Sequence, residues 1–476
     1  ALVIFTFSGL MLWEAWQKQN APKPPPVSVV QSGKASDVAS VPSPTATPAA
    51  APTPSVPSGS GPAIEPAKAA AGVAEVVSVR TDKFDVEIST RGGDIRKLTL
   101  RQHFSSKDQT QALTLLSESE KSFYITQTGL LGLAGAPNHN SLWTSAAREY
   151  RLADGANSVE VRLTNSDVPG VSVTKVWRFN RGSYLINLDY EIANASGAPL
   201  KTLAYVQFAR DGKPPLEEAA PGNPFSGVTT FYGPAVYTDE KKFTKVEFSA
   251  IDKGKLDYPK EAKDGWVGIV QHYFVGAWIA PAAEREPDGK FRVHRSERRE
   301  FFTRRITDAR YEVIGIDGQR KVTGEPFYTA GSIVGGPTIA VGQSGRVSAE
   351  LYVGPQETDK LAGVAPGLDL VVDYGIFTII AAPLFAVLKW IHGFTGNWGW
   401  AIILLTVLIK GIFYPLNAKA GRSMAQMKIL APKMEALKAR YGEDRMKLNQ
   451  AMMELYKTEK INPLAGCWPI LIQIPV

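Results

Sequence analysis

Apolar residues gather at the two ends of this chain, while its long middle alternates them with polar ones. From about Val73 to Pro355 the period is two: Phe84, Val86 and Ile88 alternate with polar neighbours, as do Val159, Val161 and Leu163, and Ile186, Leu188, Tyr190 and Ile192. Turn-forming residues punctuate these runs, as in Arg91-Gly92-Gly93-Asp94 and Asp154-Gly155-Ala156-Asn157. That pattern predicts a large antiparallel β-sandwich over residues 73–360. No helical period alternates with the strands, which disfavours a parallel α/β sheet.

The ends read differently. Ala1 to Trp13 is uncharged and apolar, and it closes on Trp13 and Trp16 rather than on a small-residue cleavage site. We expect a truncated membrane anchor over residues 1–20. Residues 21–72 are rich in Pro, Ala, Ser, Val and Thr, a composition that cannot bury enough apolar surface to offset its ordering entropy; a disordered tether is expected. Past Leu368 the polarity falls again. Asp373 and Lys389 bracket an uncharged run broken by Pro383, which suits an interfacial amphipathic helix over 368–395. Residues 396–416 predict a transmembrane helix, with about 19 residues from Trp398 to Leu416 covering roughly 28 Å.

Residues 417–460 carry ten Lys and Arg against five Asp and Glu, a bias that places such a loop in the cytoplasm and the β domain across the membrane. Met427, Leu430, Met434, Leu437 and Tyr441 alternate in steps of three and four. Leu448, Met452 and Leu455 resume the pattern after Gly442-Glu443-Asp444, so the segment predicts an antiparallel helical hairpin. Residues 461–476 are uncharged and read as the start of a further span, inside which the sequence is truncated at its C-terminal end.

Composition removes several classes of function. The net charge of +7 is mild for 476 residues and comes with no long basic run, so specific nucleic-acid binding is not expected. One cysteine, Cys467, excludes an internal disulfide framework. The five histidines are scattered, and neither a P-loop nor a G-x-S-x-G elbow occurs. The reading is therefore a non-enzyme without cofactor or metal. The aromatic stretch from Gly265 to Ile279 predicts a packed strand pair, with a sugar- or peptide-stacking surface as its rival.

The chemistry concentrates in the span. Lys410 is the only charge between Gly393 and Ala418, and intramembrane charge costs about 2.5 to 3.5 kcal/mol even on a lenient scale. It lies about six residues, or roughly 9 Å, from the end of the expected helix, within partial reach of snorkelling. Thr406, one turn earlier, extends a polar stripe on the same face. Met424, Met427, Met452 and Met453 belong to the methionine-rich hairpin, where flexible thioethers suit varied apolar partners.

Several stretches carry a family resemblance: Gly396-Asn397-Trp398-Gly399-Trp400, Lys410-Gly411-Ile412-Phe413-Tyr414-Pro415-Leu416, Ser423-Met424-Ala425, Leu455-Tyr456-Lys457, and Asn462-Pro463-Leu464-Ala465-Gly466-Cys467-Trp468-Pro469. Together with Val353-Gly354-Pro355 and the run from Leu368 to Gly375, they resemble the YidC/Oxa1/Alb3 family of membrane protein insertases, in its Gram-negative form. The resemblance implies a multi-domain membrane protein of the bacterial inner membrane. An all-β periplasmic supersandwich would join an α-helical transmembrane core and a cytoplasmic helical hairpin. It implies a hydrophilic groove with Lys410 where the family carries arginine, Thr406 facing that groove, and Gln473 and Cys467 near the client's path. It further implies nascent inner-membrane proteins as clients, and as partners the Sec translocon with its accessory subunits, the ribosome and targeting factors, and membrane lipid. A membrane-anchored periplasmic carbohydrate-binding or carbohydrate-active protein, and a transporter or channel, are the alternative readings.

Overall fold

The structure is a computed structural model that describes residues 42, 74–105, 108–214, 231–279, 299–307, 311–314, 319–372, 374, 378–441 and 444–458. It divides into a β unit reaching Asp369 and a helical unit from Leu370 onward.

The period-two segments form strands because each buries every second side chain. In Val171–Asn180, for example, Val171, Val173, Lys175, Trp177 and Phe179 all point inward and are buried. The strands assemble into two large sheets. The ten-stranded sheet has Phe327–Ile339, Leu200–Arg210, Phe123–Leu131, Ala112–Glu118 and Asp94–Phe104 through its centre. The nine-stranded sheet has Trp266–Val270, Phe274–Ile279, Ser344–Pro355, Leu185–Asn194 and Val171–Asn180 through its own. The edge strands are short, Glu261–Ala262 and Glu149–Arg151 on one sheet and Lys242–Lys245 and Thr144–Ser145 on the other, which leaves little unpaired edge to template association. One pairing departs from the antiparallel expectation: Val76–Arg80 runs parallel to Glu149–Arg151.

The sheets meet face to face over an aromatic core. Phe208 of one sheet packs on Trp278 of the other with ring centroids 5.9 Å apart, and Trp278 packs on Trp177 at 6.2 Å. A polar tie crosses the same interior. Lys175 donates to Asp94 at 2.9 Å and to the Gly92 carbonyl at 2.5 Å, and Asp94 also accepts from the Thr128 hydroxyl and backbone N–H. The Arg91-Gly92-Gly93-Asp94 turn has both glycines at positive φ, as its sequence predicts. The aromatic stretch after Gly265 is a strand hairpin with Trp266 and Trp278 each 1% exposed, so these indoles are core rather than a stacking surface.

After the last long strand the backbone doubles back over the nine-stranded sheet. Leu361 and Leu368 are fully buried, and the Trp266 indole donates to the Pro366 carbonyl at 3.1 Å. Gly367 adopts φ +69° directly against the Tyr237 ring, where a Cβ would have no room. Tyr237 is itself stacked on Trp266, with the planes 6° apart.

Candidate functional site

In the helical unit the apolar sequence gives two helices, Thr378–Thr395 and Trp398–Tyr441, followed by Arg445–Thr458. The turn between the first two is tightly specified. Gly396 sits at φ +59°, and the Asn397 amide oxygen caps the long helix by accepting from Gly399 N–H at 2.8 Å and Trp400 N–H at 3.3 Å. His392 stacks on Trp398 across that turn at 3.9 Å. Thr378–Thr395 contains Pro383 without interruption, and its 18 residues span about 27 Å. By length and composition it passes for a span as well as for the interfacial helix expected over 368–395.

The long helix continues where the sequence predicts a stop. A membrane span ending at 416 and a separate first hairpin helix are instead one 44-residue helix with Pro415 and Pro432 inside it. A proline removes a single backbone hydrogen bond, and neither Pro415 nor Pro432 ends the helix. The stretch apolar enough to cross a membrane is Trp398–Arg422, 25 residues long. With Lys419 and Arg422 in its last turn, the apolar part of that stretch ends at Ala418, eight residues or about 12 Å beyond Lys410. Ile402, Ile403, Leu404, Val407, Leu408 and Ile412 are exposed around it.

Lys410 is exposed, and Thr406 lies one turn before it on the same face. The Thr406 hydroxyl donates to the Ile402 carbonyl at 2.8 Å, so its proton is held by its own helix while its lone pairs stay available. The described carboxylates of the helical unit are Glu435, Asp444 and Glu454. Glu435, the first of them, is 25 residues beyond Lys410, roughly 37 Å along a helix. No described carboxylate forms an ion pair with Lys410. Among the described residues, no three His, Cys, Asp or Glu side chains converge as metal ligands would.

At its far end the long helix meets Arg445–Thr458. Asp444 caps that last helix by accepting from Lys447 and Met446 N–H at 3.1 Å each, and the bonds from the Lys447 backbone and ammonium, with a lesser one from Met446, hold its carboxyl below the usual range. Tyr456 donates to the Met434 sulfur at 3.4 Å, closing the two helices together. Met452 is half-buried and Met453 is 60% exposed. Met424 and Met427 fall within the long helix, but their side chains lie outside the described residues, as do Gln473 and Cys467 entirely. The sequence reading missed the paired Gly411 and Pro415; their spacing of four, with Pro415 lacking the N–H that Gly411's carbonyl needs, was the available signal.

Comparison with known proteins bears on this arrangement. Residues 76–387 match the family described as the YidC periplasmic domain, and residues 390–476 match the 60Kd inner membrane protein family. Curated relatives named membrane protein insertase YidC align along all of this sequence. That of Aromatoleum aromaticum is 45% identical, and that of Dechloromonas aromatica 42%, each with 78% of its length covered. Among solved structures, a galactose mutarotase-like protein from Lactobacillus casei is 8% identical, the alignment spanning 58% of this protein and 99% of that one, at a TM-score of 0.33; a likeness so slight carries no functional weight. On the full-length identity and the two family matches, the chain belongs to the YidC family of membrane protein insertases.

Proposed function

We propose that insertion runs through a water-containing groove in a multi-pass inner-membrane core, and that Lys410 supplies its positive charge. The observation that carries this reading is a lysine inside a helix long and apolar enough to cross a membrane, with no described carboxylate beside it. An unpaired ammonium at that depth is costly unless water or a passing acidic group solvates it. Acidic residues in the short tail of a client that must cross would be that group. Their attraction to Lys410 is worth about 1 to 4 kcal/mol at 4 Å between the dielectric of water and that of a partly wet site. Thr406, Gln473 and Cys467 would line the same path. The hairpin would lie in the cytoplasm, where Met424, Met427, Met452 and Met453 offer adaptable apolar contacts to a nascent segment arriving from the ribosome or a targeting factor. Apolar flanking helices would then release the segment to lipid, alone or beside the Sec translocon and its accessory subunits, with burial in hydrocarbon and the membrane potential supplying the driving force.

The test is client insertion by full-length protein in proteoliposomes. A single-span client with an acidic tail is expected to insert about tenfold more slowly with Lys410→Ala and more slowly still with Lys410→Glu, because about 1.4 kcal/mol is a factor of ten. Lys410→Arg, which keeps the charge, is expected to retain insertion. A neutral-tailed client should respond little to any of the three. Unchanged insertion of the acidic client by both Lys410→Ala and Lys410→Glu would remove the electrostatic step.

A further inference from the structure

We propose that the stretch around Pro42 docks on the outward face of the ten-stranded sheet and so pins the Pro-rich tether of residues 21–72 to the β unit. Pro42 is the only residue before Ala74 that the structure describes, and it is buried. It belongs to the β unit. A proline among Val, Ser, Ala and Thr has too little apolar surface nearby to bury itself, so its cover comes from the folded sheets.

The outward face offers an apolar seat. Tyr124 and Phe208 point at the nine-stranded sheet, against Gly276 and Trp278, so the alternate residues of their strands point away from it. Two apolar clusters lie on that outward side. In the first, Phe123, Ile125 and Phe327 are roofed by Val313 of the hairpin formed by Tyr311–Ile314 and Arg320–Thr323. In the second, Tyr205, Phe302 and Ile333 are joined by Leu131 and Leu203, and all five belong to the sheet itself. Tyr205, Phe302 and Ile333 are nevertheless buried. His139, edge-on to Tyr205 at 5.9 Å, forms one rim.

The chemistry of this second cluster fits a polyproline-type segment, which has no internal hydrogen bonds and seats its rings in aromatic grooves. Tyr205 and Phe302 supply the rings. Gln207 donates to Gln127 at 2.7 Å on the same side, placing amide groups beside the rings for an extended backbone. Gly129 and Gly331, opposite Tyr205 and Gln207 in the flanking strands, keep the floor low; a Cβ at Gly331 would lie 2.4 Å from that of Gln207. On the tether, Val41 and Pro44 stand one polyproline turn apart beside Pro42, and residues 38–64 carry no charge to desolvate. Pro42 precedes Ala74 by 32 residues, about 100 Å if extended, so the whole sheet is within reach. Docking would leave only residues 21–41 to connect residues 1–20 to the β unit, cutting a flexible reach of about 40 Å to about 25 Å.

Cross-linking in the full-length protein in proteoliposomes tests the contact. Ser43→Cys is paired either with Lys201→Cys, exposed at the rim two residues from Leu203, or with Arg162→Cys on the outward face of the nine-stranded sheet. The background carries Cys467→Ser and no other cysteine, and the reagent is a short bismaleimide. The within-chain cross-link is expected to form about tenfold faster at Lys201→Cys than at Arg162→Cys. Val41→Asp with Pro42→Asp should abolish that preference, and both positions precede the first strand, so folding of the sheets is not at stake. A synthetic peptide of residues 36–48, added in excess, should compete in the same way. Equal rates at the two sites, or a preference that survives both aspartates, would overturn the docking. Cross-links joining two chains would assign the patch to a neighbouring copy and overturn the contact within one chain.

Discussion

Lys175 and Asp94 lie wholly inside the sandwich, and neither side chain has any exposed surface. Burial pulls the Lys175 ammonium below its ordinary pKa, and the Asp94 carboxylate 2.9 Å away opposes that shift. The pair is balanced by further bonds to the Gly92 carbonyl and to Thr128, and the Trp143 and Tyr190 rings lie 5.1 and 5.3 Å from the ammonium. Removing one partner is therefore worse than removing both. Asp94→Asn is expected to destabilise the β unit by about 3 to 5 kcal/mol, because it strands a buried cation. Asp94→Leu with Lys175→Met should recover only part of that loss, since Thr128 N–H and the Gly92 carbonyl would then lack partners. Thermal unfolding of the purified protein distinguishes these outcomes; equal losses in the two variants would show that the pair is not what ties the sheets. The sequence carried a signal here. Lys175 occupies an inward parity between Val173 and Trp177, but its partner lies 81 residues away, and no local pattern identifies it.

Helices were legible where periodicity alone decides them. In residues 431–441 only Met434, Leu437 and Tyr441 escape full exposure, and these are the positions that the three-four spacing assigns to a seam. Across from them Leu448, Ala451, Met452, Leu455 and Tyr456 are half-buried, of which Ala451 and Tyr456 were not legible because the spacing admits either side of the stripe. Leu437→Asp is expected to place a charge in that seam and part the hairpin, raising the rate of tryptic cleavage near Arg440 and Arg445 by roughly tenfold. Ile429→Asp, at a residue 75% exposed, should leave the rate near that of the parent. Equal effects would mean that the seam does not hold the hairpin together. Boundaries were less legible than faces. The helix expected over 396–416 runs on through Pro415 to Tyr441, because one lost hydrogen bond is small against the many that flank it.

At the scale of the whole molecule, the division into a β unit and a helical unit follows from composition, since period-two alternation and long apolar runs cannot share one core. Sheet order was not legible. Strands such as Leu185–Asn194 and Ser344–Pro355 pair across more than 150 residues, and alternation specifies which face is buried but not which neighbour is chosen. Lys410 stood out because a single charge in an apolar run is visible without any partner, whereas Gln473 and Cys467 depend on contacts outside the described residues. If the groove chemistry resides in the helical unit, deleting residues 80–350 should leave insertion of a single-span client within about threefold of the parent in proteoliposomes, a loss below about 1 kcal/mol in barrier. Abolished insertion, with the shortened protein still integrated into the membrane, would assign essential work to the β unit. The clasp formed by Trp266, Pro366, Gly367 and Tyr237 also has a mechanical meaning. Tension applied to the backbone beyond Asp369 is met at buried Leu368 and then at that clasp, where a glycine wedged under an aromatic ring must be drawn out before the strap can peel from the sheet. Load is thus passed to the nine-stranded sheet through buried Leu361 and Leu368 together with this contact, and a bulkier residue at 367 would press on the Tyr237 ring and loosen the strap from the sheet.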